Sequence, residues 1–509
     1  MQLLGMMDPG KLSIFTARSG AVSIEVNGAP YHSPYDPVRE ADKFCSALKV
    51  EDADVILLFG WGLGYCGAVL QRRMKPGTRV IVFEPNAGLF EISRAHAGTR
   101  EALKHGVFQF VVGDSVRQFF DDWALNGCRE TDHFLWIEWP PAAVQHREML
   151  ESLKADFRKC LRDKAANLLT HFRNGEMYFQ NALANFRFQA SADVGWLFGQ
   201  FKNVPLVIVS AGPSLDRNIA DLRGAEDRCF ILSMDTSLRP LLAAGITPHA
   251  VMAADPSELN ARHIAGAVPE QVYLIAEQGI QPSVLESADR RFLFGLGLFP
   301  DPLFAKFGFA KSSLEVWGSV ATAALDLACR MGNNPVIFIG QDFAYSWGRA
   351  YASHTIFDGL PFSAEWSGPL KEMDIWGELV HTTETMIAYR DYFSRKLRTR
   401  PDIRFINATE GGILRLGVDI LPLREALRLT GKRRTDVAAI LRDRYRIQRT
   451  TDKALTHFLD VLRLRRQDCG CISAFLELVA KQALLENDSG TIQKKIQWGI
   501  QLMEQAIAG

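Results

Sequence analysis

The sequence predicts an α/β protein with two parallel-sheet domains and a helical domain after them. Three observations point there. Short, wholly apolar runs recur along the chain, helical stretches separate them, and everything after about Ile420 reads as helix. A short apolar run bounded by turn residues is the signature of a strand buried on both faces, as parallel strands are. Such strands alternating with helices form βαβ units. At about 150 residues per domain, a chain of 509 residues has room for roughly three domains.

The first domain covers about residues 1–150. VILLF (55–59) reads as a buried strand, and GWGLGYCG follows it with glycines 60, 62, 64 and 67. A helical pattern runs to about Arg73, then TRVIVFEP makes a second strand ending at Glu84. FQFVVGDS and HFLWIEW are further strands, with Asp114 and Glu138 near their ends. A glycine turn after one strand and an acid closing the next is a Rossmann-like arrangement. In one reading Gly60, Gly62 and Gly64 admit S-adenosylmethionine and Glu84 holds its ribose, which would make this domain a methyltransferase.

Residues 151–200 turn helical and aromatic and read as a connector. The central domain, 201–420, has strands at LVIVS (206–210), CFILSMD (229–235), HAVMAAD (249–255), VYLIAE (272–277), RFLFG (291–295) and PVIFIGQD (335–342). Helical stretches such as Asp216–Leu222, Ser237–Ala244 and Val320–Met331 lie between them. Residues 421–509 form the C-terminal helical domain. Its Leu421–Gln467 portion holds 13 Lys+Arg against 5 Asp+Glu, a local net of +8. That is either a solvated helix face or a surface that docks an acidic protein partner.

Composition excludes several classes. With 47% hydrophobic and 23% charged residues the chain is not disordered. Its 58 basic and 58 acidic residues cancel, which argues against a nucleic-acid partner, because that affinity comes from phosphate neutralisation. No apolar run reaches 18 residues, so no membrane span is expected. Asp8 and Pro9 interrupt what a signal peptide would keep apolar. Eight scattered cysteines without a CxxC pair fit buried thiols in a reducing compartment, so the expected location is cytoplasmic. The absence of HExxH, a Walker lysine loop and GxSxG disfavours zinc proteases, P-loop NTPases and α/β-hydrolases.

In an open parallel sheet, ligands bind at the carboxyl ends of the strands, near the switch in strand order. The central domain places polar residues at those ends: Ser210, Asp235, Asp255, Glu277, then Gln341 and Asp342. In SAGPSLD, Gly212 lets backbone approach a ligand and Pro213 prepares a helix start. Ser210 and Ser214 supply hydroxyls, and the free N–H groups of the helix favour a phosphate, the alternative being a plain helix cap. Gly318–Ser319 makes a second glycine-serine helix start. GQDFAYSWGRAYASH (340–354) brings Asp342, Tyr345, Arg349, Tyr351 and His354 onto one loop behind a buried strand, a density of donors that points to a ligand, the alternative being a tyrosine-rich packing loop.

These segments carry a resemblance. LFGWGLGYCG with VIVFEPNAGLFE, SAGPSLD, SMDTSLRPLLAAGITPHAVMAADP, GQDFAYSWGRAYASH and INATEGG (406–412) together resemble bacterial motility-associated factor (Maf) proteins, which glycosylate flagellin. The family's central domain is similar to CMP-sugar sialyltransferases and to archaeal 6-hydroxymethylpterin pyrophosphokinases. The resemblance implies transfer of a nonulosonic acid, such as pseudaminic or legionaminic acid, from its CMP-activated form to Ser or Thr of flagellin, serving flagellum assembly and motility. Ser210, Gly212, Pro213, Ser214, Asp235, Asp255, Ser319, Gln341, Tyr345, Arg349 and Tyr351 would bind the CMP-sugar. Asp235 and Asp255 suit ribose or base hydroxyls, while Tyr345, Tyr351 and Arg349 suit the phosphate or the sugar carboxylate. No cofactor is assigned beside the CMP-activated donor, and a divalent metal stays open, because sialyltransferases of this fold work without one and the pyrophosphokinases need one.

Transfer to a hydroxyl needs a group that takes its proton. His354 is the first candidate, since the ordinary imidazole pKa of about 6.5 suits the task. His381 and a carboxylate, Asp342, compete with it. Three alternatives remain beside the transferase: an ATP- and magnesium-dependent pterin pyrophosphokinase with metal at Asp255 and Asp342, the methyltransferase reading of the first domain, and a flagellin-binding chaperone without activity.

Overall fold

The computed structural model describes residues 11–445 except 105, 120–131, 190, 298–300, 307–308, 359–369 and 432–433. The chain divides into two compact units, residues 1–166 and 167–509. The division falls inside one long helix, Arg147–Ala184, and residues 167–200 of the stretch read as a connector fall in the second unit.

In the first unit, β1 (Leu12–Thr16), β2 (Val22–Val26) and β3 (Ala29–Pro30) form a small antiparallel sheet. The strands β4 (Val55–Phe59), β5 (Arg79–Glu84), β6 (Phe108–Val112) and β7 (Phe134–Glu138) form a parallel sheet in the order β6-β5-β4-β7. Every residue of β4 is buried, as a central strand covered on both faces requires.

The second unit holds a nine-stranded parallel sheet. Its strands are β8 (Ala192–Asp193), β9 (Leu206–Val209), β10 (Phe230–Met234), β11 (Ala250–Ala253), β12 (Tyr273–Glu277), β13 (Arg291–Phe294), β14 (Val336–Ile339), β17 (Phe405–Asn407) and β18 (Asp419–Ile420). A separate antiparallel hairpin joins β15 (Lys371–Met373) to β16 (Leu379–His381). The large sheet runs β18-β17-β14-β9-β10-β11-β12-β13-β8. From β9 the chain winds outward through β10, β11, β12 and β13, then returns to lay β14 on the opposite side of β9. The strand order therefore reverses between β9 and β14, where Ile339 pairs with Val209. That is where an open sheet of this kind leaves a crevice at its carboxyl edge.

The core sits on both sides of this sheet. On one, Val207, Val209, Ile231, Ile337, Ile339 and Ile406 pack under Leu215, Leu241 and Leu427. The helix Val320–Met331 is lined with buried alanines and leucines and ends at Gly332 in the left-handed conformation, a common helix stop. It leads into the amino end of β14, so its own start, at Ser319, lies at the carboxyl edge of the sheet.

The α/β class with two Rossmann-like parallel sheets is therefore the observed one. Of the C-terminal helical domain, Leu423–Leu429 and Val437–Arg444 are helices. Most of that domain, including the greater part of its basic stretch, lies outside the described residues.

Candidate active site

The site is built at the switch between β9 and β14. After β9, Ser210 and the SAGPSLD turn leave the sheet; after β14, Gln341 and Asp342 do. Across 131 residues of sequence, the Ser210 hydroxyl donates to Gln341 Oε1 at 2.7 Å. The Ser214 hydroxyl donates to Asp342 Oδ1 at 2.6 Å, and the Ser214 backbone N–H points at Oδ2 at 3.3 Å. The Ser346 hydroxyl takes the same Oδ2 at 2.6 Å. The backbone closes the arrangement, with Gly212 N–H donating to the Gly340 carbonyl at 2.8 Å. A Cβ at Gly212 would collide with the Asp342 carboxylate. Here glycine admits the chain's own anion.

The helix that SAGPSLD starts is only Leu215–Asn218, with Asp216 in its first turn, and the carboxylate that meets its leading N–H, at Ser214, is Asp342. Asp342 is 2% exposed, and burial raises its pKa to about 6 against the pull of the serine donors. With both oxygens engaged, it fastens two turns together more than it faces solvent.

INATEGG lies beneath this node. Asn407 is fully buried and donates to the Leu414 carbonyl at 2.8 Å, while Ile413 N–H donates to the Asp342 carbonyl at 2.9 Å. The Gln341 N–H reaches Thr409 Oγ1 at 3.3 Å.

The loop after Asp342 is strapped down by Asp216, the last residue of SAGPSLD. Arg349 pairs with Asp216 at 2.7 Å, and Ser353 gives it both a backbone and a hydroxyl hydrogen bond. Ala352 N–H donates to the Ala211 carbonyl at 2.9 Å. The structure thus commits Arg349 to the protein's own carboxylate. Four of the six non-glycine residues with left-handed backbone among those described lie on these loops: Phe343 (φ 52°), Trp347 (52°), His354 (65°) and Glu410 (58°). Strain in bulky residues concentrates where a site holds them in place.

Farther along the edge, Asp235 is buried and accepts from Asn260 Nδ2 and Thr236 N–H, each at 2.7 Å. Burial raises its pKa to about 6, with Asp255 adding to the rise. Asp255 is exposed and accepts from Ser257 N–H at 2.8 Å. Tyr351 is 38% exposed and rests against the Phe357 ring; burial raises its pKa, with Tyr345 and Asp235 contributing. Tyr345 is anchored through its N–H to the His381 carbonyl at 2.8 Å. Ser319 occupies the cap position of its helix without a side-chain cap bond, and beside it Tyr389 donates to the Gly318 carbonyl at 2.6 Å. Glu277 is buried and accepts from Gly279 N–H at 2.7 Å; burial raises its pKa well above the ordinary carboxylate value, with Asp301 adding to the rise.

His354 is exposed on the loop, its N–H donating to Asp358. His381 lies on β16.

Ser210, Gly212, Ser214, Gln341 and Asp342 are thus brought into one interlocked node. Asp235, Asp255, Tyr345, Tyr351 and Ser319 line the same edge. Sequence reasoning missed Ser346, Asp216, Asn260 and Tyr389. The first two sit inside the quoted motifs as polar residues at odds with a packing role, which was the available signal.

A divalent ion shared by Asp255 and Asp342 does not fit this geometry, because hydroxyls and an amide occupy the Asp342 oxygens. Among the described residues no three His, Cys, Asp or Glu gather in a metal-binding arrangement. No helix among them is long and apolar enough to cross a membrane.

The glycine turn of the first unit serves its own packing. Glu84 is fully buried and accepts from Trp61 N–H at 2.9 Å, Gly62 N–H at 3.2 Å and Asn86 N–H at 2.9 Å. Cβ atoms at Gly60, Gly62 and Gly67 would strike Ala142, His32 and Trp61 respectively. The carboxylate that would hold a ribose is thus capped by its own loop, and aromatic residues fill the space the glycines open.

Comparison with known proteins agrees with this architecture. A family model described as 6-hydroxymethylpterin diphosphokinase MptE-like matches residues 180–348. A solved structure of a MAf glycosyltransferase from Magnetospirillum magneticum AMB-1 superposes with a TM-score of 0.53 at 17% identity, covering 98% of this chain and 86% of that one. An uncharacterized protein of Treponema pallidum (strain Nichols) is 23% identical over 331 residues, 63% of this chain. The matched region spans 56% of that relative's length. The chain has the fold of the Maf glycosyltransferase and a central MptE-like region, as the motif resemblance implied.

Proposed function

We propose that the chain is a glycosyltransferase that moves a nonulosonic acid from its CMP-activated form to Ser or Thr hydroxyls of flagellin, in the cytoplasm, in support of flagellum assembly and motility. The observation that carries this reading is the interlocking of SAGPSLD with the post-β14 loop at the point where the strand order reverses. The likeness in fold to a Maf glycosyltransferase is in keeping with it.

In this reading the edge from Asp342 to Asp255 receives the donor. Asp235 and Asp255 take the ribose or base hydroxyls. The tyrosines and the helix start at Ser319 face the single phosphate of CMP, which needs no lysine-rich cradle. Asp342 is a positioning residue that joins the two loops. His354, exposed on the strapped loop, takes the acceptor proton as the glycosidic bond forms, while the bond from the sugar to the phosphate breaks and CMP leaves.

Calorimetric titration of the purified chain tests the donor class. CMP is expected to bind, and ATP with magnesium and S-adenosylmethionine are not. Binding of ATP with magnesium and not CMP would move the assignment to a pterin pyrophosphokinase, the activity in the description of the matching family model. Binding of flagellin without any modification of it would leave a chaperone.

A further inference from the structure

Arg217 lies one residue beyond the strap carboxylate Asp216 and is exposed. Its guanidinium sits over the Trp347 ring, 3.5 Å from the centroid. Trp347 is 46% exposed and held at a left-handed φ of 52°, between Ser346, which donates to Asp342, and Gly348. The indole borders the node itself. The point a Cβ would occupy on Gly411 is 3.1 Å from Trp347 Cη2, 3.3 Å from Ser214 Cβ and 3.5 Å from Asp342 Oδ2. Arg217 therefore stands at the mouth of the switch-point crevice.

Its chemistry contrasts with that of Arg349. The Arg349 guanidinium spends its donors on Asp216 and Ser353. Among the described residues the Arg217 guanidinium has no ion pair and no hydrogen bond. Stacking engages only the face of the planar group, and its N–H donors radiate from the edge. A guanidinium held by its face, with its edge open, is prepared for a planar acceptor with two oxygens, which is a carboxylate. Both neighbours of Trp347 are anchored, Ser346 on Asp342 and Gly348 N–H on the Tyr345 carbonyl at 3.2 Å, and they hold the platform in place, so little ordering remains when the anion arrives.

We infer that Arg217, stacked on Trp347, receives the carboxylate of the donor sugar. This rests on the proposed CMP-nonulosonate reading. It adds a specificity-determining pair: an acidic sugar is recognised separately from the CMP that carries it, and donors whose sugar lacks a carboxylate are rejected. A phosphate is the other anion on the same donor, and the test separates the two.

Binding is measured by calorimetry with three probes: CMP, CMP-N-acetylneuraminic acid, and the methyl ester of that acid, in which the carboxylate charge is removed. The wild-type chain is expected to hold the acid about tenfold or more tighter than the ester. Arg217→Ala is expected to erase that preference, weakening the acid about tenfold while CMP and the ester change less than about twofold. Arg217→Lys keeps the charge without the planar fork and is expected to recover only part of it. Equal weakening of CMP and the acid would assign Arg217 to the phosphate and overturn the inference, as would an undiminished preference in Arg217→Ala. Failure of the wild-type chain to bind CMP at all would instead overturn the transferase reading. Thermal unfolding of each variant, expected to match wild type because the side chain is exposed, guards against misfolding.

Discussion

At the scale of single residues the site separates into groups that organise and groups that meet substrate. Asp342 belongs to the first kind. Its pKa of about 6 stands above the ordinary 3.8, so between those values the folded chain binds the proton and the unfolded chain does not. Stability from this group is therefore greatest at low pH and falls as pH rises through about 6. Asp342→Asn should remove that dependence: relative to wild type, the variant gains up to about 3 kcal/mol between pH 4 and pH 7 in urea unfolding. A difference curve that stays flat would mean that the carboxyl is not strained by its burial. In the proposed reading His354 belongs to the second kind. His354→Ala should slow transfer to flagellin by about a hundredfold or more while CMP affinity is unchanged. Glycosylation at the wild-type initial rate would remove histidine from the role and leave the carboxylates.

Residues also show where sequence reading reached its limit. Ser210, Ser214, Gln341 and Asp342 were legible as candidates because each closes or follows an apolar strand. That Ser214 would meet Asp342, 128 positions away, follows from β14 returning beside β9, and no local pattern encodes it. For the same reason the SAGPSLD helix start, read as a phosphate contact, meets Asp342, and Arg349, read as a contact to phosphate or sugar carboxylate, meets Asp216. Arg217 lies just past SAGPSLD and Trp347 inside the 340–354 motif, and nothing local pairs them until the two loops are brought together.

At the scale of elements, β4, β5 and β9 to β13 fall within one or two residues of their sequence reading, because a strand covered on both faces must be apolar throughout, while β14 ends three residues before its reading. The strands that escaped are the short ones, β8, β17 and β18, and the hairpins, whose two to five residues offer too little period to read. The element with most functional consequence is the strapped loop from Phe343 to His354. Asp216→Ala should release it, since Arg349 and Ser353 both depend on that carboxylate. Hydrogen exchange of the Arg349–His354 amides should quicken and the KM for the donor should rise, with CMP affinity moving less. Unchanged exchange in this segment would show that the loop is held by the Ala352–Ala211 bond alone.

At the scale of the whole molecule, the two units have the same class of fold and opposite fates. The second keeps polar groups along its switch-point edge, with Asp255 and Tyr351 exposed there. The first closes the equivalent place with Trp61, His32 and the capped Glu84, so it is expected to serve as a scaffold. Trp61→Ala should destabilise the chain by about 3–5 kcal/mol, the usual cost of emptying a buried aromatic site, without altering CMP affinity. Calorimetry with S-adenosylmethionine should register no binding to either protein; saturable heat with the wild-type chain would restore the methyltransferase reading.

The central claim is that the β9–β14 edge transfers a nonulosonic acid from CMP to flagellin. Intact-mass spectrometry of flagellin incubated with the purified chain and CMP-pseudaminic acid tests it most directly. The expected result is a mass increase in steps of one nonulosonic acid residue, with release of CMP, and neither when Asp342→Asn replaces the wild-type chain. Flagellin of unchanged mass with a wild-type chain that binds CMP, or full modification by the Asp342→Asn variant, would contradict the account.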